Sequence, residues 1–278
     1  MRGPTSAEEI EAVSALLRAG ELHPVGRVVD ASNTALLCDV VAPGDEGVQV
    51  IYKPVKGEQP LWDFPDGTLA GREVAAFLVA QAGGWGVVPP TVLRDGPLGP
   101  GSAQLWIGDP FDDRATGEPV VDLVRVGQRR PGWLPVLDGQ LPTGRRVTVV
   151  HQDRDDVRDA AVLDAVINNA DRKGSHLVRD ADGRLWGFDH GLSFHPAPKL
   201  RTVLWGWAGQ PLRRGDVLRL ETLRTALEDR RCRLRDSLAA LLPPSDVIAL
   251  DERVAGLLTA GEHPLPRLGG PAIPWPAL

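Results

Sequence analysis

Cysteine is nearly absent from the chain: Cys38 and Cys232 are the two in 278 residues, and neither has a second Cys or a His at metal-ligand spacing. That excludes a disulfide scaffold and a Cys/His zinc site, and it leaves the expectation of two buried free thiols in a reducing compartment. Long apolar runs are also missing. No stretch of 18 apolar residues occurs, and the acidic, amphipathic segment TSAEEIEAVSALLRAG near Met1 is unlike a signal peptide. The expectation is a soluble cytoplasmic protein with no stable membrane insertion. Excess positive charge is missing as well: the formal net charge of −6 gives no basic footprint for nucleic acid. Lysine is scarce in a different way, because nearly all the basic residues are arginine and only Lys53, Lys56, Lys173 and Lys199 are lysines. A lysine retained in such a chain is a candidate for a role that needs its compact amine.

What is present is ordinary globular composition, 42% hydrophobic and 24% charged, in a chain long enough for one large core or two small ones. Residues 6–19 carry a capping box, Ser6 and Glu9, with Ile10, Val13, Leu16 and Leu17 on one face and Gly20 as a stop. They form a leading helix. GRVVDASNTALLCDVV and VQVIYKPV then place three apolar runs around turn-rich segments, predicting a β-meander. LAGREVAAFLVAQAGG is helical, with Val74, Phe77, Leu78 and Gln81 at helical spacing, and VVPPTVLRD and SAQLWIGD add two short strands. The spacing predicts an α+β, two-lobed chain with a β-rich first lobe over 1–108.

The second lobe, 109–278, is expected to be mainly helical. From Asp109 to Gly144 the sequence is rich in Pro, Gly and Arg and is expected to be mostly loop with one short strand, VVDLVRV. Residues 155–168 predict a buried helix, LVRDADGRLWGFD a hairpin around Asp182-Gly183, 216–240 a long helix, 246–259 another capped by Ser245, and 263–278 a Pro-rich extended tail.

Phosphoryl transfer needs a lysine on the phosphates, metal-binding groups, and a residue that orients the acceptor hydroxyl. Lys53 ends the strand VIYK before Pro54, and Glu73 lies on the following helix one turn before Phe77. A Lys–Glu pair between strand and helix would hold the amine over phosphates. Taken singly, each is as well explained by a snorkelling lysine or a solvated glutamate. The Ala31-Ser32-Asn33 turn could close over phosphates with backbone N–H groups and a hydroxyl, or be a plain hairpin turn. Asp171, in the polar loop 169–176 after a buried helix, could accept the acceptor's proton while Arg172 or Lys173 faces phosphate charge. Asp189 closes the apolar strand LWGFD, where a charge needs a partner such as Mg²⁺; the alternative is a tight turn with Gly191 at positive φ.

NADRKGSHLV followed by WGFDHGLSFH resembles the type II phosphatidylinositol 4-kinases, which read N-T-D-R-x-x-x-N-W-L and then I-D-N-G-L-A-F-P. HipA-type kinases share the general plan. The likeness runs from about Val28 to Leu212 and takes in KPV, REVAAFLV and the tryptophan-rich LWGWAGQPL, although only the 168–194 pair of motifs is specific. The resemblance implies a phosphatidylinositol 3/4-kinase-like fold that binds ATP and Mg²⁺ or Mn²⁺ between its lobes. It casts Asp171 as the catalytic Asp, Asp189 as the metal-binding Asp, Lys53 as the phosphate Lys and Glu73 as its partner. One position departs: the family's second metal ligand, an Asn five residues after the catalytic Asp, is here His176. Imidazole suits Mn²⁺ better than Mg²⁺, and a degraded site would make the chain a pseudokinase that binds nucleotide or a partner.

His151-Gln152-Asp153 superficially matches the catalytic loop of ordinary protein kinases, but Arg158 stands where a metal ligand is needed. Asp153 is therefore read as a helix N-terminal residue favoured by the dipole. The acceptor, whether lipid, small molecule or protein, is left open, because the palmitoylated cysteine cluster of the lipid kinases is missing. Trp205 and Trp207 are expected to pack in the second lobe.

Overall fold

The computed structural model describes residues 2–28, 33–42, 44, 47–59, 64, 69–108, 119–267 and 269–278. Helix α1 (Ala7–Ala19) starts on the expected capping box, in which Ser6 Oγ accepts from Glu9 N and the Glu9 carboxylate accepts from Ser6 N. Strands β1 (Glu21–Arg27), β2 (Leu36–Val41) and β3 (Val48–Pro54) follow, then helix α2 (Leu69–Gly83) and the hairpin β4 (Thr91–Gly96) and β5 (Gly99–Leu105). They make one antiparallel sheet in the order β1-β2-β3-β5-β4. Alternate residues Cys38, Val40, Val50, Tyr52 and Ala103 face inward, and α1 covers them with Leu17.

The second lobe holds more sheet than its sequence suggests. The expected strand VVDLVRV is β6 (Val121–Arg125), and the segment after it, instead of continuing as loop, forms β7 (Trp133–Gln140) and β8 (Arg146–Gln152), in the order β6-β8-β7. Pro135 disguises β7, but β7 is an edge strand whose register shifts between Pro135 and Leu137, which is where a strand tolerates proline. Helix α3 (Asp155–Ile167) leads to the hairpin β9 (Leu177–Arg179) and β10 (Leu185–Gly187), turned by Gly183 at φ 78°. The expected 216–240 helix is broken into α4 (Arg214–Glu228) and α5 (Leu234–Leu241), with Arg233 at φ 52° in the break. Cys232 falls in that break and is exposed, so only Cys38 is the expected buried thiol. Helix α6 (Pro244–Ala260) starts one residue before Ser245, on proline at its first turn, and the Ser245 hydroxyl bonds Asp246 instead of capping.

Helix α2 is where the lobes meet. It is buried nearly all round, and Phe77, Val79 and Ala80 share one core with Leu163 of α3, Leu220 and Leu223 of α4, Leu238 of α5 and Leu250 of α6. Two contacts pin it: a Cβ on Gly71 would lie 2.8 Å from the Leu241 carbonyl oxygen, and the buried Arg72 guanidinium sits 2.7 Å from Asp246. The tail packs too, with Ile273 and Ala277 against the β6–α3 core and Gly174 N donating to Ala277 O at 2.8 Å. No helix among the described residues is long and apolar enough to cross a membrane.

Candidate active site

Four of the sequence-predicted residues converge. Lys53, near the end of β3 and paired in register with Ser102 of β5, sends its ammonium 2.6 Å from Glu73 Oε1 and 2.8 Å from Asp189 Oδ1. Glu73 is buried on α2, and its second oxygen accepts from His190 N at 2.8 Å. His176 Nε2 lies 3.4 Å from the other Asp189 oxygen. Strand β3, helix α2, the Asp171 loop and the end of β10 thus meet at one ammonium and one carboxylate. Burial works against the Lys53 charge, but Asp189 and Glu73 outweigh it and hold its pKa above the ordinary lysine value. The Lys53 ammonium in turn holds Asp189 well below the usual carboxylate range. Burial pushes Glu73 upward, opposed by Lys53.

The Asp189 backbone is left-handed, φ 59°, whereas the turn reading puts that conformation at Gly191. A non-glycine residue held there costs about 1–3 kcal/mol, a strain that clusters at functional sites, and Asp tolerates it better than most. The Asp189 side chain is 46% exposed, so one face is open to a ligand.

Asp171 sits in a loop fixed at both ends. Helix α3 stops at Asn168, left-handed at φ 54°, whose side-chain amide donates to His195 O and Ala197 O while its oxygen accepts from Lys199 N. Asn169 accepts from Asp171 N at 3.0 Å and donates to Asp164 at 2.9 Å. The Asp171 carboxylate itself meets only Lys173, 2.9 Å away, among the described residues. Burial raises its pKa above the ordinary carboxylate value, partly offset by Lys173. A carboxylate so raised is a better proton acceptor than an ordinary aspartate.

Arg172 does not face phosphate charge. It is buried, bonds Asp164 through Nε at 3.0 Å and Nη2 at 2.9 Å, donates to Phe188 O at 3.0 Å, and lies 2.7 Å from His190 Nε2. One guanidinium therefore ties α3, the Asp171 loop and both neighbours of Asp189. Asp164 and His190 are functional neighbours that sequence reasoning misses, although a charge inside the buried helix VLDAVI needs a partner and is the available signal. Lys173 pairs with Asp171. Ser32 lies outside the described residues; Asn33 Oδ1 accepts from Gln59 N at 2.9 Å, tying Asn33 to the segment after β3. Asp153 lies just ahead of the N-terminus of α3 and accepts from Trp207 Nε1 at 3.1 Å. Trp207 is buried, and Trp205 Nε1 donates to Ala272 O, as packing predicts.

Asp189 and His176 fit a metal as a pair. Burial lowers the His176 pKa to about 4 against the pull of Asp189, so its imidazole is neutral at physiological pH, and its buried Nδ1 has no partner among the described residues. Among the described residues no cluster of three or more His, Cys, Asp or Glu is placed to hold a metal ion. A two-donor site of this kind is completed by phosphate oxygens and water, as sites that hold a metal with a nucleotide are.

No protein-family model matches the chain. Among solved structures, hydra Fam20 with a sugar superposes with a TM-score of 0.58 at 15% identity, covering 92% of this chain and 89% of that one. The Golgi casein kinase with Mn and ADP bound superposes with a TM-score of 0.57 at 14% identity, covering 92% and 76%. The fold is protein-kinase-like, with an antiparallel sheet lobe joined to a lobe of helices. Protein Rv2133c of Mycobacterium tuberculosis (strain ATCC 25618 / H37Rv) is 45% identical over 267 residues, 95% of this chain and 94% of that one. The chain belongs to the family of Rv2133c.

Proposed function

We propose that this protein is an ATP-dependent phosphotransferase that moves the γ-phosphate to a hydroxyl, with Lys53 and Glu73 at the phosphates, Asp189 and His176 at the metal, and Asp171 at the acceptor. The observation that carries the reading is the Lys53 ammonium bridging Glu73 and Asp189 at 2.6 and 2.8 Å across both lobes. Asp171 accepts the acceptor's hydroxyl proton as the acceptor oxygen bonds the γ-phosphorus, the bond from that phosphorus to the β–γ bridging oxygen breaks, and ADP leaves. The bound metal supplies charge neutralisation on the phosphates. Nucleotide and metal use draws support from the Golgi casein kinase, whose structure holds Mn and ADP. Nitrogen from His176 beside a carboxylate favours Mn²⁺ over Mg²⁺. The motifs around Asp171 and Asp189 support membership of the phosphatidylinositol 3/4-kinase-like branch, and the two free thiols favour the cytoplasm.

One observation favours a second reading: His176 stands where a metal-binding Asn is expected, and Lys173 already neutralises Asp171. On that reading the chain is a pseudokinase. ATP consumption by the purified protein with Mn²⁺ or Mg²⁺ separates the two. Turnover that disappears in Asp171→Asn supports transfer; equal turnover by that variant rejects the assignment of Asp171.

A further inference from the structure

A concave pocket of about 470 Å³ lies outside the cleft, on the three-stranded sheet of the second lobe. Arg125, Arg129, Arg130 and Arg145 line it against one carboxylate among the described residues, Asp122. The folding of two loops brings these charges together. Gln128 N donates to Arg125 O at 2.9 Å and Trp133 N to Arg130 O at 3.1 Å, which folds the β6–β7 connection into two turns. Arg125 pairs in register with Val147, so Arg145, just ahead of β8, falls beside the end of β6. Arg130 is held in place, 2.7 Å from Asp122 and stacked 3.8 Å from the centre of the Trp133 ring. The side chains of Arg125, Arg129 and Arg145 make no ion pair among the described residues.

In a chain of net charge −6, guanidinium groups gathered around one concavity repel one another until an anion joins them. The planar donor fork of arginine matches phosphate oxygens two at a time. The volume lies within the ~300–1,000 Å³ usual for small-ligand sites, so the size suits a small organic phosphate better than a polymer. The strand that carries the pocket touches the Asp171 loop at its other end. Val121, the first residue of β6, packs on Gly174, where an added Cβ would lie 3.0 Å from the Val121 Cβ, and Asp122 is the next residue. At ~3.3 Å per residue, Arg125 is roughly 13 Å along the strand from Val121, the reach of a compact phosphorylated molecule.

We propose that this pocket binds the phosphate of the acceptor, a polyol that carries a phosphomonoester and a free hydroxyl. Binding stands on the arginines alone; the acceptor role rests on the phosphotransfer reading above. A soluble sugar phosphate and a lipid headgroup share this chemistry. The test is calorimetric titration of the full chain with fructose 1,6-bisphosphate, alongside co-sedimentation with phosphatidylcholine vesicles with and without phosphatidate. Both are repeated on Arg125→Glu/Arg129→Glu and on the milder Arg125→Gln/Arg129→Gln, with thermal melts to confirm folding. Charge reversal is expected to weaken binding at least about tenfold and the glutamine pair less, with ATP affinity unchanged. Binding to the bisphosphate assigns a soluble source, and binding to phosphatidate vesicles alone assigns a headgroup. No saturable binding to either probe, unchanged affinity after charge reversal, or displacement of both probes by lower concentrations of polyglutamate overturns the proposal. If the pocket binds but the wild type consumes no ATP, the phosphotransfer reading falls and the pocket stands. If the wild type turns over ATP but its binding is indifferent to charge reversal, the pocket falls and the phosphotransfer reading stands.

Discussion

The two sides of the cleft are built differently. On the proposed nucleotide side, Lys53, Glu73 and Asp189 are cross-bonded, Glu73 is buried, and Arg172 clamps the flanks of Asp189 to α3. On the proposed acceptor side, Asp171 meets only Lys173, and three pocket arginines have no ion-pair partner among the described residues. The first side is preorganised, as positioning of phosphates and metal requires; the second leaves its charges for a ligand to complete.

The sharpest test of that contrast is Asp171→Asn, which removes proton acceptance while leaving the nucleotide side untouched. Turnover is expected to fall about 10²–10⁴-fold in a steady-state assay with ATP affinity within about threefold. A parallel loss of affinity would mean that the two sides are not separate. Next in size is Arg172→Ala, which strands the buried Asp164 carboxylate and should cost about 3–5 kcal/mol in denaturant unfolding. A cost near zero would dissolve the distinction between a clamped side and a loose one.

Acid probes the scaffold beneath both sides. Burial lowers His151 and His263 to about 4, and each imidazole accepts a hydrogen bond, from Gly206 N and from Arg158 Nε respectively. Because their folded pKa lies below the unfolded value, the unfolded chain takes up protons first as pH falls below about 6.5. Stability should decline through that point towards pH 4, by of the order of 3 kcal/mol per histidine, and His151→Gln should flatten the decline in thermal melts.

Smaller effects sharpen the picture at the metal and at the acceptor. His176→Asn should shift the ratio of Mg²⁺- to Mn²⁺-supported nucleotide binding towards Mg²⁺ by about tenfold, measured by titration with each metal. Lys173→Ala removes a partly exposed pair and should change stability by less than about 1 kcal/mol. Since Lys173 opposes the upward shift of Asp171, its loss should move the acid limb of the pH–rate profile to higher pH.

Much of the nucleotide side is legible in the sequence, because a lysine before Pro54, a glutamate on the next helix and an aspartate ending an apolar strand are local patterns whose order constrains their meaning. Arg172 misleads because adjacency to Asp171 suggests a shared role, while its direction is set by Asp164, eight residues earlier and out of sight on a buried helix. The arginine pocket depends on β7 and β8, and Pro135 hides that sheet by removing the donor that a central strand would need. The break after α4 leaves no trace either. Leu220, Leu223, Leu227, Leu234 and Leu238 all keep helical spacing through it, and no glycine or proline marks residues 229–233.

The pinning of α2 has a consequence for control. In protein kinases the helix that carries the lysine's glutamate partner is the part that activation repositions. Here that helix is bolted by Arg72 to Asp246 and seated against the Leu241 carbonyl, so displacing Glu73 means opening the helical core. The Lys53–Glu73 pair is therefore completed when the chain folds, and on the proposed function a remote core lesion, Leu238→Ala for example, would surface as weakened ATP binding. A switch that works by swinging this helix would be closed to the proposed kinase, which leaves the Asp171 side as its point of control.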